Sequence, residues 1–400
     1  MRVHLPCLWA GLAATLAVLG ASCVPPVTST PDAGGDIRPD AGDPAPDRGV
    51  ATTPTRVDDV VADALGVRQT PALAAAVVDV DGVVSWGASG ARVAGQADQV
   101  TVDDPWHLGS NTKAMTAVLA GRLVDQGVVD WDLAVLDVWP QADAGWQNVT
   151  LEKLLHHRGG ASSNLIAQHP SLWSALWQEP DPSAARHALL EALLALPPDE
   201  TVDDFAYSNA GYMMAGAMLE LRADATWRAL MQRDLFDPLQ MTGCGFGPPT
   251  GDVPHGHRIS NNALTSVSPG LEADNPAGLG PAGTVHCPLD DWAKFIAVHL
   301  PGHALPDGTP YLMSTTLERL HTPTGDYAGG WLVAERPWAA PEGNGVVLTH
   351  SGSNTMWLSV AWVAPELGLA FLATTNSATA DASVATDTVI GALIESTSSQ

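Results

Sequence analysis

The sequence predicts an α+β fold: an antiparallel β-sheet flanked by helices, with an inserted all-helical domain. Three features predict it. Two β-branched apolar runs meet at Asp81-Gly82 near the start, four strand-like runs cluster after Gly330, and helical periodicity fills most of the interval between them. Strands at both ends of a helical middle can share one sheet if the middle is an excursion from it.

Residues 1–22 read as an export signal: Arg2, an apolar run from Leu8 to Leu19, then the small residues Gly20, Ala21 and Ser22. The run is too short for a membrane span. Cys23, directly after the small residues, resembles a lipoprotein-processing site, with Leu19 four residues before it where such sites usually carry leucine three before. The expected location is therefore the cell envelope, on the periplasmic or extracellular face, with a lipid anchor. Residues 23–56 are Pro, Asp, Ala, Gly and Thr with almost no large apolar side chain, so they cannot pack a core and read as a disordered tether. Such a tether has an r.m.s. reach of roughly 30 Å.

Order is expected from residue 57 onward, with 57–105 and 281–400 forming the sheet-bearing part and 106–280 the mainly helical part of one domain. A short helix at 60–65 precedes the hairpin 73–80 and 83–86, whose Asp-Gly turn is a strong short-range signal. Helical patterns follow at 151–156, 183–196, 212–221 and 226–235, punctuated by Pro and Gly. Strands are expected at 330–333, 345–349, 357–363 and 369–374, and a closing helix at 382–394.

The formal net charge is −26, from 44 acidic and 18 basic residues, with no basic patch, which excludes nucleic acid as a partner. The excess acid reads as a solvated surface. Of the four cysteines, Cys7 leaves with the signal and Cys23 is assigned to lipid, which leaves Cys244 and Cys287 either as a disulfide or as two free thiols.

Three short motifs carry chemistry. Ser110 opens a helix, and Lys113 follows three residues later, on the same face. Met115, Val118, Leu119 and Leu123 mark that helix as amphipathic and Gly127 stops it. A serine hydroxyl needs a base, and lysine serves only as the free amine, so the pair needs a desolvated setting. The helix start also aims backbone N–H groups at a developing oxyanion. Tyr207-Ser208-Asn209 stands before another apolar helix; tyrosine can pass a proton if a cation lowers its pKa, and asparagine can both donate and accept. Finally His350-Ser351-Gly352-Ser353 ends the strand 346–349. Gly352 lets a substrate approach the backbone, the N–H of Ser353 can complete an oxyanion hole with that of Ser110, and His350 is expected as a polar, partly cationic flank.

Over residues 57–395 the chain resembles the serine β-lactamase and penicillin-binding protein superfamily, in its branch of class C β-lactamases, D-Ala-D-Ala carboxypeptidases and esterases. The resemblance rests on the three motifs in this order, on Leu154-Leu155-His156-His157-Arg158-Gly159-Gly160, on Pro238-Leu239-Gln240-Met241 (Gln240 for the usual glycine), and on Pro281-Ala282-Gly283 before Asp291-Trp292-Ala293-Lys294-Phe295. It implies a β-lactamase/transpeptidase-like fold and no cofactor. It further implies Ser110 as the acylated nucleophile, Lys113 as its activating neighbour and Tyr207 as general base. Asn209 would orient the substrate amide, and the N–H groups of Ser110 and Ser353 would form the oxyanion hole. His350 stands where class C β-lactamases have lysine.

Other chemistry is less well supported. His255-Gly256-His257 and His156-His157 lack the acidic or cysteine neighbours of a zinc site, so no metal is expected. There is no Gly-x-Ser-x-Gly elbow. Gly278-Leu279-Gly280-Pro281-Ala282-Gly283 lacks the context of a phosphate loop and reads as structural or as a wall of the active site. The expectation is an exported serine hydrolase that cleaves a small amide or ester (a peptidoglycan stem peptide, a β-lactam or a carboxylic ester) through a Ser110 acyl-enzyme. The alternative is a catalytically idle, penicillin-binding-like protein that holds a cell-wall ligand.

Overall fold

A seven-stranded sheet unites the two ends of the chain. Its strand order is Thr55–Arg56, Gly82–Gly90, Ala72–Asp79, Leu369–Thr375, Leu358–Ala364, Gly345–Ser353 and Leu332–Arg336. All neighbours are antiparallel except the first pair, in which Thr55 and Arg56 run parallel to Ser85 and Trp86. The computed structural model describes residues 53–66 and 69–398. The signal, Cys23 and all but the last residues of the tether lie outside the described residues, which form one compact unit.

The strand Ala72–Asp79 shows why the sheet holds. Its side chains alternate between two faces: Ala72, Ala74, Ala76 and Val78 enter one core, and Leu73, Ala75 and Val77 the other. The second face is covered by the helices Asp58–Leu65 and Ala380–Ser398, through Val61, Ala64, Ala385, Val389 and Leu393. The first packs against the helical body, where the helix Leu289–Ala297 contributes Trp292, Phe295 and Ile296. A strand buried on both faces reads as a continuous apolar run, as this one does.

The structure adjusts several expectations. The hairpin turn is Val80-Asp81, and Gly82, at φ +123°, already begins the returning strand. Ordered pairing begins at Thr55, inside the stretch assigned to the tether. The inserted part is not all-helical. A hairpin, Gly256–Ser260 with Ala263–Val267, lies within it, and Trp106–His107 and Gly245–Phe246 both pair with Val285–Cys287. That small sheet carries a Cys244–Cys287 disulfide, one of the two alternatives left open. Among the described residues no helix is long and apolar enough to cross a membrane.

Candidate active site

Ser110 lies in a 3-10 turn, Gly109–Asn111, that leads from the strand Trp106–His107 into the helix Thr112–Asp125. This helix is not amphipathic in the protein: every residue from Thr112 to Gly121 is buried. Its Ala, Gly and Thr positions let neighbours close in on all sides. Thr112 Oγ1 accepts from the Val285 N–H (3.1 Å) and Thr116 Oγ1 donates to the Pro281 carbonyl (2.8 Å). Asn111 Nδ2 donates to Ser359 Oγ at 2.7 Å, and Ser359 Oγ donates to the Leu108 carbonyl at 2.8 Å, which clamps the nucleophile turn onto the sheet.

Lys113 is wholly buried directly behind Ser110. Its Nζ lies 3.1 Å from Ser110 Oγ and donates to Asn209 Oδ1 at 2.8 Å and to the Ala282 carbonyl at 2.7 Å. Burial depresses its pKa well below the usual lysine value. A neutral amine has two N–H groups and one lone pair. In the free-amine form, Asn209 and Ala282 can take both protons, which leaves the lone pair for the Ser110 hydroxyl. The Gly278–Gly283 segment is therefore a wall of the site, with Ala282 its working atom.

Tyr207 packs over the same amine, its ring centroid 4.8 Å from Lys113 Nζ, with its hydroxyl facing Ser110. The condition set for it, a pKa lowered by a cation, is not met. Burial raises the Tyr207 pKa, the nearby Ser110 hydroxyl only partly opposing it, so the phenol keeps its proton at neutral pH. Ser208 is structural: it caps the helix Asn209–Ala223 by accepting from the Gly211 N–H at 2.9 Å and donates to the Ser162 carbonyl at 2.6 Å. Asn209 opens that helix with an exposed side chain, its carbonyl oxygen committed to Lys113.

His350-Ser351-Gly352-Ser353 lies on the strand, which runs on to Ser353 rather than stopping before His350. Gly352 faces the nucleophile turn so closely that a Cβ on it would sit 2.0 Å from the Leu108 carbonyl oxygen and 2.8 Å from the Ser110 nitrogen. Conversely, a Cβ on Gly109, at φ +50°, would sit 2.3 Å from the Ser353 nitrogen. Two glycines thus let the segments that carry the Ser110 and Ser353 nitrogens meet closely.

His350 differs from expectation. It is buried, and burial, the largest cause, lowers its pKa to about 3, so it is neutral rather than partly cationic. Its Nδ1–H donates to the Ser351 carbonyl at 2.8 Å, and Nε2 accepts from the Tyr327 hydroxyl at 3.2 Å. Tyr327 was not picked out from the sequence, nor was the role of His157. The His157 ring packs at a tilt against Tyr207 and Tyr327, with ring centroids 4.3 Å and 4.6 Å apart, and its Nδ1 accepts from the Ser208 N–H at 3.0 Å. Its positive φ of 57° marks a turn built for the site, a feature residue types alone do not announce. Phe205, half-exposed, extends this aromatic wall to the surface through Tyr327 and His157.

Arginines and lysines near the site loops are committed elsewhere: Arg158 to the carbonyls of Asp203 and Thr324, Lys153 to Asp203, and Arg186 to Glu220. Of the histidine pairs considered for metal, His257 accepts from the Ala94 N–H and meets the Asn376 carbonyl with its other nitrogen, and His156 Nδ1 meets Thr324 Oγ1.

A family model described as Beta-lactamase matches residues 57–395. Penicillin-binding protein 4 of Amycolatopsis lactamdurans is 27% identical over 332 residues, covering 80% of this chain and 84% of that protein. Esterase/beta-lactamase LipL of Mycobacterium tuberculosis is 28% identical over 148 residues, covering 36% of this chain and 32% of its own. Among solved structures, that of SurE superposes with a TM-score of 0.66 at 20% identity, over 84% of this chain and 73% of SurE.

Proposed function

This chain belongs to the Beta-lactamase family, and from that premise we propose that it is a serine hydrolase that cleaves small carboxylic esters, and more slowly uncharged amides, through an acyl-enzyme on Ser110. The observation that carries the proposal is the buried Lys113 amine, its two N–H groups held by Asn209 and Ala282 and its lone pair left for Ser110. Ser110 Oγ attacks the acyl carbon while its proton passes to Lys113 Nζ. The N–H groups of Ser110 and Ser353 hold the oxyanion. Collapse expels the alcohol, which takes a proton from the Tyr207 hydroxyl, and Lys113 restores that proton. Water then attacks the ester on Ser110 by the reverse relay, releasing the carboxylic acid and returning the proton to Ser110. The raised pKa of Tyr207 suits a hydroxyl that donates and is at once reloaded, with Lys113 as the base.

The preference for an uncharged ester rests on His350 and Phe205. A neutral His350 offers no positive charge to a substrate carboxylate, and Phe205 gives the mouth of the site an apolar edge. The partial relative named an esterase/beta-lactamase supports the same reading. Location is part of the proposal: an exported, lipid-anchored enzyme of the cell envelope, resting on residues 1–23.

The test is turnover of an acyl p-nitrophenyl ester, a chromogenic cephalosporin and a D-Ala-D-Ala peptide by wild type and Ser110→Ala. Ester turnover above the other two, lost in Ser110→Ala, is expected. Cephalosporin or peptide turnover above that of the ester would replace the substrate class. Silence on all three, with no fluorophosphonate adduct on Ser110, would leave a ligand-binding protein.

A further inference from the structure

A buried polar path joins the two segments that carry the proposed oxyanion donors, and none of the roles above uses it. Gly109 donates its N–H to His107 Nδ1 at 3.1 Å. A ring nitrogen that accepts holds no proton, so the ring proton sits on Nε2. Nε2 lies 2.8 Å from Asp274 Oδ2, within ion-pair distance but off the line of a hydrogen bond, and neither atom has a hydrogen-bond partner among the described residues. The other oxygen, Asp274 Oδ1, accepts from Asn354 Nδ2 at 3.2 Å and from the Asn275 N–H at 2.7 Å. Asn354 directly follows Ser353; its Nδ2 also donates to the Ala273 carbonyl at 3.1 Å, and its Oδ1 accepts from the Met356 N–H at 3.2 Å.

His107, Asp274 and Asn354 are 0%, 8% and 3% exposed. A carboxylate is costly to bury unless each oxygen is used. Here one oxygen faces the segment that ends in Ser110 and the other faces the segment that contains Ser353. Oxyanion donors stabilise a transition state only if they are fixed before the reaction, since any reorganisation costs part of the gain.

Resting on the acyl-enzyme reading above, we propose that Asp274 is a positioning residue: through His107 on one side and Asn354 on the other, it holds the Ser110 and Ser353 N–H groups at one spacing for the oxyanion. It touches neither substrate nor the reacting atoms. Its removal should therefore lower kcat with little change in KM.

The experiment uses the full chain with Asp274→Asn, and Asn354→Ser as a second variant that leaves the His107–Asp274 contact in place should the first fail to fold. Two readouts are taken. Amide hydrogen exchange at residues 109–111 and 352–355 should quicken about tenfold while exchange in the strand Ala72–Asp79 stays as in wild type. In parallel, kcat on a p-nitrophenyl ester should fall about 10²-fold at near-constant KM, and the preference for that ester over its thionoester, in which sulfur replaces the oxyanion oxygen, should shrink. A structural residue far from the donors would not move that oxygen-to-sulfur ratio. Folded variants with wild-type exchange at both segments and an unchanged ratio overturn the proposal. If wild type neither hydrolyses the ester nor labels at Ser110, the acyl-enzyme reading fails, and exchange at the two segments alone still decides whether Asp274 braces them.

Discussion

Lys113 Nζ stands 3.1 Å from Ser110 Oγ with no carboxylate among its hydrogen-bond partners; Asn209 Oδ1 and the Ala282 carbonyl complete the set. A lysine paired with an acid would be held as the ammonium ion, useless as a base. Burial among neutral acceptors does the opposite. Lys113→Ala should therefore lower the rate of acylation by about 10³-fold, read as the rate of fluorophosphonate labelling of Ser110. Because Lys113 is enclosed, the alanine also leaves a cavity, so unfolding should be followed in the same samples. A Lys113→Ala protein that stays folded and labels at the wild-type rate would remove lysine from the mechanism.

The same burial gives the pH dependence a sign. The active form carries a free amine on Lys113, and the free fraction grows as pH rises through its pKa. That pKa is depressed, so the activity-gaining limb of kcat/KM should lie well below the usual lysine range, and activity should be lost as pH falls through it. His350, held neutral down to about 3, should contribute no limb between pH 5 and 8. A pH–rate profile of wild type beside His350→Gln checks both: a mid-range limb that vanishes in the variant would mean that His350 titrates in the working enzyme.

Much of this site could be read from residue types and order. Ser110 and Lys113 one helical turn apart, Tyr207 before a helix, and Gly352 on a late strand needed only spacing and local periodicity. What could not be read depends on distant partners. His350 looked cationic because a histidine beside a turn is usually wet, and only the fold shows Tyr327 donating to it inside the core. The helix after Ser110 looked amphipathic because Ala, Gly and Thr are silent in an apolar count; in the fold those small residues are where neighbours touch. Cys244 and Cys287, 43 residues apart, have no spacing that distinguishes a bond from two thiols. Asp274 and His107 share neither a helix face nor a strand register, so nothing local links them.

Gly352 tests the fit of the nucleophile turn against the sheet. A methyl group there meets the Leu108 carbonyl at 2.0 Å and the nitrogens of Ser110 and Asn111 at 2.8 Å, all backbone atoms that cannot swing aside. Gly352→Ala should destabilise the protein by about 1–3 kcal/mol through overpacking. It should also cut kcat more than that loss explains, because the displaced atoms include a proposed oxyanion donor. Urea unfolding and ester kinetics on the same preparation separate the effects, and wild-type kcat in a destabilised Gly352→Ala would show that the turn has room to spare.

Stability in acid should hinge on Glu220. This buried carboxylate accepts from Arg186, which also donates to the Gly278 carbonyl at 2.9 Å, and from the Trp227 N–H at 2.7 Å, and it meets His187 Nε2 at 3.0 Å. It thereby ties the helices Pro182–Leu194 and Asn209–Ala223 to the segment that supplies Ala282. Burial alone would raise its pKa, but the bond to His187, the charge of Arg186 and the backbone bond to Trp227 more than offset this and bring it from 4.5 to about 2. The folded state therefore releases this proton more readily than the unfolded chain. The resulting stability is fully present above about pH 4.5 and lost as pH falls towards 2, on the order of 3 kcal/mol from this group. Glu220→Gln leaves Arg186 buried beside a neutral amide and should cost about 3–5 kcal/mol at neutral pH, while flattening the stability curve between pH 5 and 2. Urea midpoints across that range, wild type against variant, measure it. Parallel curves would assign the acid sensitivity to other groups.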